Sequence, residues 1–270
     1  MKNRTARTIL LTIAAAVFLF SSSMVLIQKA QLRAGTEYAE TLAQMAVIPH
    51  VDTSAAEAQE SGVVTADETQ GTSPEEVPPV APIQVDFDGL RAANPDVVAW
   101  IYCPDTPINY PVVQTADNAY YLKRLLDGSK NSAGTLFMDY RNADDFSDWN
   151  SVIYGHNMKN DSMFGTLSEY AADSYFQSHP ELYLLTPEQD YVISVAAGFG
   201  TPANAELYTA FCPNDEAKNR LVESWLKSSD FISDDYPTSE DRLITLSTCS
   251  YEYDNARYVL IGILKALSRP

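Results

Sequence analysis

Hydrophobic positions along this chain fall into three regimes. Residues 9–27 (ILLTIAAAVFLFSSSMVLI) carry no charge, and their length matches the ~20 residues that a helix needs to cross a hydrocarbon core. Residues 28–46 (QKAQLRAGTEYAETLAQMA) are rich in helix formers and predict an extension of that helix as a stalk. Residues 51–85 lose the pattern. The stretch SGVVTADETQGTSPEEVPPVAP mixes Pro, Gly, Ser, Thr and acids, with no Lys, Arg or aromatic residue. Such a segment cannot bury enough apolar surface to offset its ordering entropy, and predicts a disordered spacer reaching on the order of 30–35 Å. His50, at its start, reads as exposed and inert.

From about Val85, runs of β-branched and aromatic residues alternate with turn residues. They predict strands at 97–102, 109–114, 134–139, 151–156, 182–186, 191–200, 243–249 and 257–264. Helical patterns occupy 117–126, with Gly128 after its end, and 214–228, which opens with acids and puts Ala217, Leu221, Trp225 and Leu226 on one face. Eight short strands with few long helices predict a mainly β domain, a closed or nearly closed barrel with peripheral helices; the spacing fits a sandwich as well. The chain then divides into a basic tail (1–8), a transmembrane anchor (9–27), a stalk and acidic spacer (28–85) and one folded domain (86–270).

Charge refines the picture. Lys2, Arg4 and Arg7 precede the apolar run, which predicts a single-pass protein of the plasma membrane with a cytoplasmic N-terminus and an extracellular domain. No cleavage site follows the run, as a secretory signal would require. The net charge of -18, from 36 acidic and 18 basic residues, excludes nucleic acid as a partner and argues against binding of anionic lipid by the folded domain.

Three cysteines, Cys103, Cys212 and Cys249, leave at least one thiol outside any disulfide, and only three histidines, His50, His156 and His179, can partner a reactive one. Cys249 ends the strand LITLSTC, where alternation sets Leu243, Thr245, Ser247 and Cys249 on one face and Ile244, Leu246 and Thr248 on the other. A strand-end Cys can be a nucleophile or a buried structural thiol. His156 follows SVIYG at another strand end, whereas His179, before Pro180, reads as an element boundary. Arg257 opens the next strand across the loop SYEYDNA, so its guanidinium can reach the mouth that Cys249 occupies, or pair with Glu252 or Asp254 at the surface. No zinc, EF-hand, P-loop or dinucleotide motif is present.

Three separated stretches together resemble one family. TLSTC (245–249) followed by Arg257, YGHNM (154–158) continuing as KNDSMFGTL, and WIYCPDTPINYPVVQ (100–114) are similar to the corresponding segments of class B sortases. The likeness spans about residues 86–266. Cys103 departs from it, standing where an aliphatic residue is expected and raising a contact with Cys212. The resemblance implies a sortase-type closed eight-stranded barrel with an N-terminal helix and an extra helix before the last two strands, which 214–228 fits. It implies a membrane-anchored cysteine transpeptidase without a cofactor. Cys249 would be the nucleophile, His156 the acid/base partner and Arg257 the oxyanion or orienting cation, with Ser247, Thr248, Asn157 and Tyr251 lining the groove. Its partners would be secreted proteins bearing an Asn-Pro-x-Thr or Leu-Pro-x-Thr-like sorting motif and an amine from peptidoglycan or a lipid-linked precursor. A pilin-type polymerase using a Lys amine, a plain cysteine protease and a non-catalytic surface β-domain are the competing readings.

Overall fold

The computed structural model describes residues 2–49, 80–202, 212–249 and 256–269. His50 and most of the expected spacer, Tyr251 and the loop 203–211 lie outside them, as does the side chain of Cys249. The chain opens with one helix of 45 residues, α1 (Lys2–Ala46), so the apolar run and the predicted stalk are continuous. Two short strands follow. β1 (Val47–Pro49) pairs antiparallel with β2 (Ile83–Val85), with Val47 opposite Val85 and Pro49 opposite Ile83. The Asp86 amide donates to the Ala46 carbonyl at 2.9 Å. Pro49 and Ile83, which flank the expected spacer, therefore lie side by side in one ribbon.

The C-terminal part of α1 lies on the domain. Leu42 and Ala46 are buried with Leu90, Val97, Trp100, Val113 and Leu267. The small Gly35 lets the helix approach closely, since a Cβ there would sit 3.0 Å from the Ala133 Cβ. A short helix, α2 (Phe87–Ala93), follows β2, its Asp86 cap accepting from the Gly89 amide.

All eight predicted barrel strands form. They are β3 (Val97–Tyr102), β4 (Asn109–Val113), β5 (Leu136–Met138), β6 (Asn150–Gly155), β7 (Glu181–Leu185), β8 (Asp190–Pro202), β9 (Leu243–Cys249) and β10 (Ala256–Ala266). They close a barrel in the order β10-β8-β7-β3-β4-β5-β6-β9, which leaves this sheet no open edge. The pairs β4–β5 and β6–β9 are parallel and the rest antiparallel. Alternation sorts each strand. In β9, Ile244 and Leu246 join the main core, while Leu243 faces an outer cluster.

That outer cluster lies under the helix between β8 and β9. Within 214–228 the helix runs as α4 (Asp215–Ser228), capped by Asn214, whose side chain accepts from the Ala217 amide. Val222 and Trp225 bury against Ala197, Phe199, Val259 and Ile261, and Trp225 stacks on Trp149 at 5.8 Å. The helix expected at 117–126 does not form. Asp117 Oδ1 accepts from the amides of Ala119 and Tyr120 as a cap would, but the chain turns extended at Arg124 and bridges to Lys130. Only Tyr121–Lys123 coils, as a single 3-10 turn. Tyr121 is instead buried, its hydroxyl donating to Asp96.

Candidate active site

The three residues singled out for catalysis converge through strand register. β9 and β10 are antiparallel, and Cys249 is the partner of Arg257. Directly opposed residues share a face of the sheet, so the two occupy one face at one end of the barrel. β6 runs parallel to β9 on its other side, with Gly155 paired to Thr248. His156 is the first residue past that rung on one strand and Cys249 the first past it on the other. The site therefore spans three adjacent strands in the order β6, β9, β10.

Gly155 is required there. A Cβ at this position would lie 2.5 Å from both Leu136 Cδ2 and Phe164 Cδ2. The absence of a side chain lets both pack across the strand end and support the next residue. The His156 backbone carbonyl accepts from the Phe164 amide at 3.1 Å. Asn157 bridges to Met163 across a tight loop in which Asp161 and Met163 both adopt positive φ, and the Met163 amide donates to the Tyr110 hydroxyl.

The His156 ring is also held. Nε2 lies 2.6 Å from the Leu122 carbonyl oxygen. A carbonyl only accepts, so Nε2 carries the proton, and in the neutral ring Nδ1 carries the lone pair. In a continuous α-helix the Leu122 carbonyl would take the amide of residue 126. The failure of helix 117–126 leaves it for His156. Leu122 is a site contributor that sequence reading missed, and nothing in a leucine side chain could have signalled it, because its carbonyl is what acts.

Arg257 is half-buried and donates through Nη1 to the Ala256 carbonyl. Its alternative partners Glu252 and Asp254 fall outside the described residues. Ser247 and Thr248 are both 1 % exposed, and the Thr248 hydroxyl is buried without a hydrogen-bond partner among the described residues. The structure thus brings Cys249, His156, Arg257, Ser247, Thr248 and Asn157 to one barrel end.

The other candidates lie elsewhere. Cys103 is buried in the main core, where burial pushes its thiol pKa up, against nucleophilic use. It is free, as is the half-buried Cys212, so the two form no disulfide. His179 caps α3 (Asp173–Ser178), its Nδ1 3.1 Å from the Tyr175 carbonyl and its ring against Tyr175. Among the described residues, no three His, Cys, Asp or Glu side chains gather to hold a metal.

Known proteins resemble this chain in sequence and in fold. A sortase domain family matches residues 101–265. The sortase B of Listeria monocytogenes is 34% identical over 177 residues, covering 65% of this chain and 72% of that protein. A Staphylococcus aureus sortase B–substrate complex superposes with a TM-score of 0.64 at 28% identity, covering 67% of this chain and 85% of that one. A sortase B complexed with triglycine gives the same TM-score and identity, covering 67% of this chain and 86% of that one. Closed barrel, N-terminal helix and the helix before the last two strands are all shared with those structures, and the chain belongs to the sortase family as a class B sortase, a transpeptidase.

Proposed function

We propose that this sortase cleaves a C-terminal sorting motif of secreted proteins after Thr and transfers the new carboxyl end to a cell-wall amine, with Cys249, His156 and Arg257 as its catalytic residues. The observation that carries the reading is the pairing of Cys249 with Arg257 one strand away from His156. The Cys249 sulfur attacks the Thr carbonyl carbon and its proton passes to His156. The Nδ1 lone pair, left free by the Nε2 bond to Leu122, is the basic site that takes it. Arg257 stabilises the oxyanion of the tetrahedral intermediate. Collapse breaks the C–N bond, His156 returns its proton to the departing amine, and a thioester remains on Cys249. A peptidoglycan or lipid-linked amine then attacks the thioester, His156 takes its proton, and the Cys249 thiol is regenerated. The reported complexes of a sortase B with substrate and with triglycine support a peptide donor and an amine acceptor.

Residues 9–27 form an apolar helix long enough to span a bilayer. With Lys2, Arg4 and Arg7 ahead of it, it anchors the catalytic domain outside the cell. The test is to incubate the full chain and Cys249→Ala with Asn-Pro-x-Thr and Leu-Pro-x-Thr-like peptides, with and without glycine or diaminopimelate peptides, and to read products by mass. Amine-linked product lost in the variant is the expected result. Cleavage that ignores the amine would make the protein a plain protease, and cleavage unaffected by the substitution would remove Cys249 from the mechanism.

A further inference from the structure

The direction of α1 has a consequence for what lies beside the catalytic end. The Gln31 carbonyl accepts from Asn131 at 2.9 Å, and the Thr36 hydroxyl accepts from Asn160 at 3.1 Å. Further along, Leu42 and Ala46 reach Val97, Val113 and Leu267. Leu136, at the start of β5, packs at Gly155 beside the catalytic strand ends, and Val113 lies further down the barrel, paired with Phe137. α1 therefore enters at the catalytic end and runs away from it. With residues 9–27 in a bilayer, that end of the barrel faces the membrane.

At ~1.5 Å per residue, Lys29 stands ~3 Å, Arg33 ~9 Å and Thr36 ~14 Å beyond Ile27. This is the height of the headgroup layer, roughly 5–8 Å thick on each side, and of the water just outside it. An open groove of about 630 Å³ lies there, between α1 and the loop after His156. Lys29, Arg33, Thr36, Glu37, Lys159 and Asn160 line it. Lys29, Arg33 and Lys159 form no ion pair among the described residues. Three unpaired cations against one carboxylate stand out in a chain of net charge -18.

We propose that this groove binds the phosphate of an anionic membrane-lipid headgroup, held by Lys29 and Arg33 from the helix and Lys159 from the barrel. The net charge, which argues against lipid binding by the domain as a whole, conceals this local reversal. The inference rests on the anchor reading of residues 9–27 and not on the chemistry at Cys249. An occupied headgroup would tie the loop three residues past His156 to the bilayer and fix the catalytic end against the membrane.

The full chain in detergent, titrated with dioctanoyl phosphatidylglycerol or dioctanoyl phosphatidylcholine and read by native mass spectrometry, tests it. The expected result is preferential binding of phosphatidylglycerol, weakened by more than about fivefold by Lys159→Glu, since loss of one positive charge near an anionic surface is worth about fivefold and the variant adds a negative charge as well. Lys159 lies on the barrel, so simple attraction to the basic end of the helix would not involve it. Competition by millimolar inorganic phosphate would identify the phosphate group alone as what is recognised, and its failure to compete would assign the site to the intact lipid. Equal binding of both lipids, or binding unchanged in Lys159→Glu at an unchanged melting temperature, would overturn the proposal. Cleavage of soluble peptide by the same variant is expected to be unaffected, which separates this result from the test of catalysis.

Discussion

Arg257 and Gly155 make the account testable at single residues. Arg257→Lys keeps a positive charge but loses the planar fork and its reach. On the proposed role, steady-state kinetics should show kcat lowered by about 10²-fold or more, the loss typical of one oxyanion donor, with the melting temperature unchanged. Gly155→Ala should act through structure, because its Cβ meets Leu136 and Phe164 at 2.5 Å. Thermal unfolding should register a loss of about 1–3 kcal/mol, the usual cost of overpacking, together with impaired turnover, because His156 is the next residue. Asp139 sets a pH dependence. Burial pushes its carboxyl up, but Arg141, Tyr154 and Asn118 donate to it and outweigh burial, holding it below the usual carboxylate range. A carboxylate depressed in the fold stabilises above its unfolded pKa, about 3.9, and that contribution disappears as pH falls through the folded value. Denaturant titrations should show stability falling below about pH 4, with a smaller acid loss in Asp139→Asn.

Elements differ in how far the sequence reveals them. The eight barrel strands were legible because each buries a run whose β-branched residues alternate, as in LITLSTC and RYVLIGIL. α4 was legible from its acids at the start and its apolar face, although Val222, which the pattern passed over, is more buried than Leu221. Trp225→Ala should cost about 3–5 kcal/mol in chemical unfolding, typical of a truncated core aromatic. The segment 117–126 misled because helix-forming composition says nothing about the bridge of Arg124 to Lys130, nor about Asp96 and Asn94 binding the Tyr121 hydroxyl. The same gap hid Leu122. The carbonyl that holds the His156 ring is not readable from sequence, since it depends on a hydrogen bond between segments 34 positions apart.

For the whole molecule, the least legible feature was where the folded unit begins. Composition separates the helix 28–46 from the domain, yet Leu42, Ala46, Ala81 and Ile83 are buried in one cluster with barrel residues. A chain starting at residue 86 loses all four. Burial of Leu42 and Ile83 alone contributes roughly 3–6 kcal/mol at 1.5–3 kcal/mol per side chain. Calorimetry should find residues 28–270 clearly more stable than residues 86–270. The apolar run and the segment that packs on the barrel are one continuous helix, α1.

The most direct test of the central claim is the intact mass of the full chain after incubation with sorting peptides and no amine. Catalysis through a Cys249 thioester predicts an adduct equal to the peptide's N-terminal fragment, attached at Cys249, absent in Cys249→Ala and discharged when an amine is added. An adduct that persists in Cys249→Ala, or cleavage of a peptide with no covalent species at Cys249, would contradict it.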